Sequence, residues 1–264
     1  GEQSTMGGGM ATGLSGPRRM RLGSARDCVL GVRLIKGIGQ HLKFGGEVMK
    51  NVAGYDLSRL SVGAYGTLGI LTEISVKVLP MPELEQTQRL ECSQAEALER
   101  LVRIGRRPYP ISAAAWIQGA LSMRLSGAAS GVASAASAIG GESLPDSESF
   151  WAGLRDLSST EFHEEGRWLW RLSVAPTTPV NAIDAFCFDW AGGQRWVMTD
   201  PDDDSPFDIA SKCGGHAICF AQNRSEGTGM QPLAPGILSL NQRIKDAMDP
   251  HGLINRGRLL GGTH

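Results

Sequence analysis

The sequence lacks most of the features that announce a function class by themselves. Neither charge is in excess: 26 Lys+Arg stand against 27 Asp+Glu over 264 residues, a formal net charge of −1. That balance argues against a dedicated nucleic-acid binder, which needs a basic face. No apolar run reaches ~18 residues, so no segment is expected to span a bilayer as a helix. The opening residues lack the basic start and apolar core of a secretory signal, so export is not expected. Cysteine is scarce. The five, Cys28, Cys92, Cys187, Cys213 and Cys219, are odd in number and scattered, which fits reduced thiols in a cytoplasm better than a disulfide framework. The internal histidines, His41, His163, His216 and His251, lie far apart and form no H-x-x-x-H pair. There is no strand-linked G-x-G-x-x-G and no Gly-Lys-Ser/Thr, so neither a Rossmann fingerprint nor a Walker A loop is present. With 41% hydrophobic and 20% charged residues, wholesale disorder is excluded.

What the sequence does have is glycine: 35 residues, about twice the usual ~7%, and densest before residue 70. Glycine admits positive φ and lets backbone approach a ligand closely. The chain reads as an α+β protein in three parts. Residues 1–81 form one unit, closed by Pro80-Met81-Pro82. Residues 82–232 form a second, and 233–264 a tail that folds back on the first. In the first unit, the alternation Cys28–Ile35, the turn Lys36-Gly37-Ile38-Gly39 and the return His41–Phe44 predict a hairpin, and Leu71–Leu79 a half-buried strand. In the second, Ser93-Gln94-Ala95-Glu96 is a capping box before Leu98, Leu101, Val102 and Ile104 at helical spacing. Strands are expected at 111–117 and 121–125, and a small-residue helix at 128–139. A similar order recurs as strand 168–174, helix 180–190, and strands near 195–199 and 216–220. Two such passages predict an α+β sandwich with helices on one face. Ile237, Leu240, Ile244 and Ala247/Met248 mark a last amphipathic helix ended by Asp249-Pro250.

The densest motif is Thr5-Met6-Gly7-Gly8-Gly9-Met10-Ala11-Thr12-Gly13-Leu14-Ser15-Gly16, whose small residues leave backbone N–H groups open to an anionic or flat ligand. Composition alone leaves a flexible linker equally open. Arg18, Arg19, Arg21 and Arg26 fit phosphate contacts, but a solvated loop is the better reading. Cys213-x2-His216-x2-Cys219 has the residue types of a zinc site. The apolar run Ala217-Ile218-Cys219-Phe220 and the lack of a second ligand cluster favour a core strand, with His216 at a cleft as a middle option. No metal site is expected. Asp202-Asp203-Asp204 reads as a solvated turn, and Trp168, Trp170, Trp190 and Trp196 as core or interface aromatics. Arg171, Arg195 and Arg224 are candidates to hold a carboxylate.

Three segments taken together carry a resemblance: Val29-Leu30-Gly31-Val32, then Val48-Met49-Lys50-Asn51-Val52-Ala53-Gly54-Tyr55-Asp56-Leu57, then Gly66-Thr67-Leu68-Gly69-Ile70. This pattern resembles the flavin-binding domain of the vanillyl-alcohol oxidase/PCMH-type flavoproteins. Thr5–Gly16 is similar to that family's second glycine-rich FAD segment, and Asn255-Arg256-Gly257-Arg258 to its C-terminal return. Ala11–Arg19, Phe44–Asp56 and Gly214-Gly215-His216-Ala217 resemble the smaller FAD-binding subunit of bacterial glycolate oxidases, over almost the whole chain.

The resemblance implies the second half of a PCMH-type FAD-binding domain plus an α+β cap, with FAD as cofactor. The opening FAD lobe, with its main pyrophosphate loop, is expected to lie outside the given segment. The implied FAD contacts are Thr5, Gly7, Gly8, Gly13, Gly16, Lys50, Asn51, Gly54, Tyr55, Gly66, Gly69, Ile70 and Asn255. The resemblance also implies oxidation of glycolate to glyoxylate, with a larger flavin subunit and an iron–sulfur subunit as partners. The location implied is cytoplasmic, with any membrane association peripheral and through the complex. Tyr65 stands where catalytic relatives carry an acid. Their histidine cluster is missing, which favours a non-catalytic assembly or electron-relay role as the alternative. No catalytic residue is assigned from sequence.

Overall fold

The computed structural model describes residues 5–47, 55–220 and 228–260. Its first part runs α1 (Met6–Thr12), α2 (Arg19–Leu22), α3 (Ala25–Cys28), β1 (Val29–Ile35), β2 (His41–Gly45), α4 (Leu57–Ser61) and β3 (Ile70–Val76). The expected hairpin forms. β1 pairs antiparallel with β2 through Val32↔Phe44 and Leu34↔Leu42, and with β3 through Val32↔Ile74, giving the order β2-β1-β3. Val29, Val32 and Leu34 are buried against Leu42, Phe44, Leu71 and Ile74, and against Met248 of the C-terminal helix.

The second part runs β4 (Leu84–Glu91), α5 (Gln94–Ile104), β5 (Ile111–Ile117), β6 (Ala120–Gly127), α6 (Ala129–Ile139), β7 (Glu142–Ser143), α7 (Ser147–Asp156), β8 (Trp168–Ser173), β9 (Cys187–Asp189), β10 (Gln194–Thr199), α8 (Ser205–Lys212) and β11 (His216–Cys219), before α9 (Pro235–Met248). The strands form one antiparallel sheet, β11-β8-β10-β9-β5-β6-β4-β7. The capping box of α5 is made as read, with Ser93 and Glu96 bonding reciprocally.

Three expectations need correction. The helix expected over 180–190 is a 3-10 turn, Val180–Ala182, followed by β9, because Cys187 and Phe188 find partners on both sides, Trp196 and Arg195 on β10 and Ile117 and Trp116 on β5. The glycine stretch is neither loop nor linker: residues 6–12 are helical, with Thr5 Oγ1 accepting from Gly8 N–H and Gly13 closing the end at φ +64°. The helices also do not share one face. α5, α6 and α8 pack on one side of the large sheet, through Ala97 and Leu101, Val132 and Ala135, and Ala210. α7 covers the other with Trp151 and Leu154.

The two faces differ in chemistry because strand residues alternate. One face is dry: Ala114, Leu121, Met123, Leu125, Phe188, Trp170 and Leu172 are fully buried there. The other holds Thr87, Ser122, Arg124, Ser126, Asp189 and Gln194, all buried as well, with Arg171 across from Trp196. The segment 14–19 lies along this polar face: Gly16 O accepts from Trp190 Nε1–H, and the Arg19 guanidinium stacks 4.1 Å from the Trp190 ring centre.

Candidate functional site

The glycine segment and the loop before β3 are built against each other. Gly63 N–H donates to Met10 O and Tyr65 N–H to Ala11 O at 2.7 Å. A Cβ on Gly13 would come within 2.9 Å of Gly63 Cα, so that position needs glycine for both its positive φ and the close approach. Asn255 Nδ2–H reaches back 190 residues to Tyr65 O at 2.7 Å. Asp249, packed under the same loop, accepts from Lys245 and from the backbone N–H groups of Leu253 and Ile254. Burial pushes its carboxyl up, but these bonds outweigh that and hold it below the usual range. Lys245 also donates to Thr67 O.

The structure thus packs the C-terminal end of α1, with Gly13, against the loop that carries Gly66 and meets Asn255; Thr5, Gly7 and Gly8 lie at the other end of the same short helix. On it, Gly7 and Gly9 face open space: a Cβ on Gly9 meets nothing within 4 Å, and one on Gly7 only Thr5 Oγ1 at 4.0 Å. Three consecutive glycines cost a helix about 1 kcal/mol each against alanine, and packing among the described residues does not require these two. A ligand lying flat on the backbone would. Gly16 sits apart, over Arg155 of α7. Tyr55 is 71% exposed at the mouth of an apolar groove with Leu57, Leu60 and Ile244. Ile70 is exposed on β3. Gly69 packs inward, since a Cβ there would meet Leu34 Cδ1 at 2.8 Å and Ile35 O at 2.9 Å. Its need for glycine therefore arises within the sheet. Lys50, Asn51, Gly54 and the carboxylate candidate Arg224 lie outside the described residues.

Between segment 14–17 and the polar face of the large sheet lies a cavity of about 240 Å³, floored by Arg171, Asp189, Gln194 and Trp196 and closed by Leu154 and Phe220. Gln194 is 4% exposed, and its Oε1 has no hydrogen-bond partner among the described residues; neither has Arg171 Nε. A buried polar atom left unpaired costs about 1–3 kcal/mol, so this floor is built for a polar occupant. Asp189 is fully enclosed. Burial drives its carboxyl up to about 7, against the opposing pull of the Trp190 N–H and of Arg124. Burial also lowers Arg124 to about 10, with Arg18 repelling it and Glu85 and Asp189 supporting its charge.

At the edge of this floor stand His216 and Tyr65. Burial, then the charges of Arg171 and Arg19, lower the His216 pKa, so the imidazole is neutral at pH 7. Burial raises Tyr65, with Arg171 pulling the other way. Tyr65 holds φ +52°, and Leu157, Trp190 and Asn255 also have positive φ. Such conformations cost on the order of 1–3 kcal/mol each and gather at functional sites.

The remaining candidates separate. Arg195 points to the dry face, donates to Gly192 O and Thr178 O, and stacks by Phe188; it is a core residue and no carboxylate anchor. His216 and Cys219 fall on opposite faces of β11, since residues three apart in a strand point oppositely, so the Cys-His-Cys spacing cannot converge on a metal. Arg18 is an exposed side chain, as the solvated-loop reading has it, and it is engaged within the chain. It makes a bidentate pair with Glu85 at 2.7 and 2.8 Å. Asp202-Asp203-Asp204 is an exposed turn into α8. Asp189 and Gln194 escaped sequence reading: each is a lone polar residue at the end of a short strand, and no spacing marks either.

No family model matches the chain. The chain is 43% identical over 260 residues to the glycolate oxidase subunit GlcE of Escherichia coli (strain K12), covering 98% of this chain and 73% of that protein. It is 45% identical over 84 residues to the glycolate oxidase subunit GlcD of Bacillus subtilis (strain 168), covering 32% of this chain and 18% of that one. To a D-lactate dehydrogenase of Anaerostipes hadrus it is 40% identical over 80 residues, 30% of this chain and 17% of the relative. Among solved structures, alkyldihydroxyacetonephosphate synthase matches with a TM-score of 0.63 at 17% identity, over 96% of this chain and 58% of that one. That likeness shows the fold.

Proposed function

The chain belongs to the family of the glycolate oxidase subunit GlcE, and on that premise we propose that it is an FAD-binding subunit of a glycolate oxidase complex. In this reading glycolate is oxidised to glyoxylate, and the electrons pass to an iron–sulfur partner subunit. The observation that carries it is the cavity under segment 14–17, whose floor combines a cation, Arg171, with the unpaired amide oxygen of Gln194 and the carboxyl of Asp189.

The residues present fit a flavin. Gly7 and Gly9 offer a backbone surface that a Cβ would fill, and the loop 65–67, pinned by Asn255 and Lys245, borders it. FAD bound there supplies acceptance of a hydride from the substrate carbon. The chain's own residues do the rest. Arg171 holds the substrate carboxylate; its unpartnered Nε and low exposure make that pairing strong. Gln194 bounds the same floor beside Arg171, on the side left for the substrate hydroxyl. Leu154, Trp196 and Phe220 exclude water. His216, neutral and beside Arg171, narrows the mouth.

The test is substrate bleaching of the flavin absorption in the assembled complex, with wild-type chain and with Arg171→Met. Loss of one carboxylate ion pair should raise the glycolate KM by a factor of 10² or so, on the order of 3 kcal/mol for a charge-assisted bond. Undiminished turnover by Arg171→Met would move the chemistry to the larger subunit and leave this chain the assembly or electron-relay role.

A further inference from the structure

The same cavity holds a group that the reading above leaves without a task. Asp189 ends β9, next to Gln194 in the register of β10, and is 2% exposed. Its Oδ1 accepts the Trp190 N–H at 2.6 Å, and no other hydrogen bond reaches it among the described residues. A buried carboxyl with a free oxygen on a cavity wall has one obvious use, the exchange of a proton with the occupant. Arg124 stands opposite Ala113 in the register of β5 and β6, and its charge acts on the Asp189 carboxyl.

A network fixes Arg124 there. Arg124 Nε–H donates to Ser112 Oγ at 3.0 Å, Ser112 and Ser126 share a hydrogen bond at 2.6 Å, Ser126 Oγ–H donates to Glu85 Oε1 at 2.6 Å, and Glu85 takes both Arg18 nitrogens. The Arg124 guanidinium also lies over the Trp151 ring at 5.0 Å. The charged and titratable groups around Asp189 are then Arg124 on β6, Arg155 on α7, Arg171 on β8 and the Cys187 thiol on its own strand.

We propose that Asp189 is the proton acceptor of the oxidation, a catalytic residue touching the substrate hydroxyl, and that the chain Arg18–Glu85–Ser126–Ser112 positions Arg124 to steady its charge. The proposal rests on the reading that a 2-hydroxy acid occupies this cavity. The step balances: the substrate O–H breaks and its proton goes to the Asp189 carboxylate. An FAD held at the Gly7/Gly9 surface and the loop 65–67 would supply the acceptor for the hydride leaving the substrate carbon, which lets the carbon–oxygen double bond close. Asp189 must start ionised, and its carboxyl is driven up to about 7, so activity should rise as pH increases through neutrality.

The experiment uses the assembled complex. In Asp189→Asn, which keeps the shape and the acceptor for Trp190, kcat for glycolate should fall 10²–10⁴-fold with KM within threefold, and the acid limb near pH 7 should vanish from the rate profile. Infrared titration of the wild-type complex should show a carboxyl protonating near neutrality that is missing in Asp189→Asn. This spectrum needs no turnover. Arg171→Met separates the two readings. If it raises KM while Asp189→Asn keeps wild-type kcat, the cavity binds substrate and Asp189 is not its base. If neither variant changes turnover, the cavity is not the site and both readings fall. Absence of any carboxyl titrating near pH 7 in the wild-type spectrum also overturns the assignment.

Discussion

The two faces of the eight-stranded sheet share strands and degree of burial but not chemistry. On the dry face Trp170, Leu172, Phe188, Leu121 and Met123 lie against three helices. On the other, Arg124, Asp189, Gln194 and Arg171 lie under α7 and the segment 14–19. Each large apolar side chain buried on the dry face stabilises the fold by about 1.5–3 kcal/mol, whereas each unpaired polar atom on the other costs energy. The lesson is a division of labour: apolar packing on the dry face, and under α7 on the other, holds the lobe together, and that surplus lets the second face keep groups positioned for a ligand.

The largest break of this comparison is Trp170→Ala. Its ring is fully buried beside Phe207, so denaturant unfolding should show a loss of about 3–5 kcal/mol, with glycolate KM unchanged at temperatures where the variant stays folded. A raised KM with little loss of stability would mean that the faces are not separate.

Asp189→Asn should act in the opposite direction. A carboxyl whose folded pKa is raised binds its proton more tightly in the native than in the unfolded chain, so stability is fully present below the ordinary pKa of 3.8 and is lost as pH rises through about 7. The variant removes that loss. It should match wild type near pH 4 and exceed it at pH 8, by about 4 kcal/mol at most from a pKa difference of this size. Melting temperatures measured across pH 4–8 check it. Parallel curves for the two proteins would show that Asp189 does not titrate in this window.

The smallest effect sharpens the parallel contrast in the glycine segment. Gly7→Ala places a methyl in open space and should stabilise α1 by up to about 1 kcal/mol while weakening flavin binding. Gly13→Ala, at φ +64° and against Gly63, should destabilise the chain by about 1–3 kcal/mol. Calorimetric melting with and without FAD distinguishes the two. If Gly7→Ala leaves flavin affinity intact, no ligand lies on that face.

Much of the fold was legible because period and capping are local. The β1–β2 hairpin, β3, α5 with its Ser93/Glu96 box, β5, β6, α6, β8 and α9 all follow from alternation or helical spacing. β4 was missed because Glu85, Gln86, Thr87, Gln88 and Arg89 look solvated; they are strand residues with both faces covered, one by α6 and the other by Trp151. α7 and α8 were missed as well. β9 was misread because three residues cannot declare a period, and pairing with β5 and β10 decided them.

The site divides in the same way. By itself the sequence determined where glycine is dense, which residues alternate, and which loop and tail share the pattern of a flavoprotein family. Those are properties of neighbours along the chain. Only the tertiary structure decided that Arg171 shares a cavity with Asp189 and Gln194 while Arg195 turns into the core, and that Asn255 meets Tyr65. Strand register sets which side chains share a face, and burial sets their charge. Neither quantity exists until segments distant in sequence have packed.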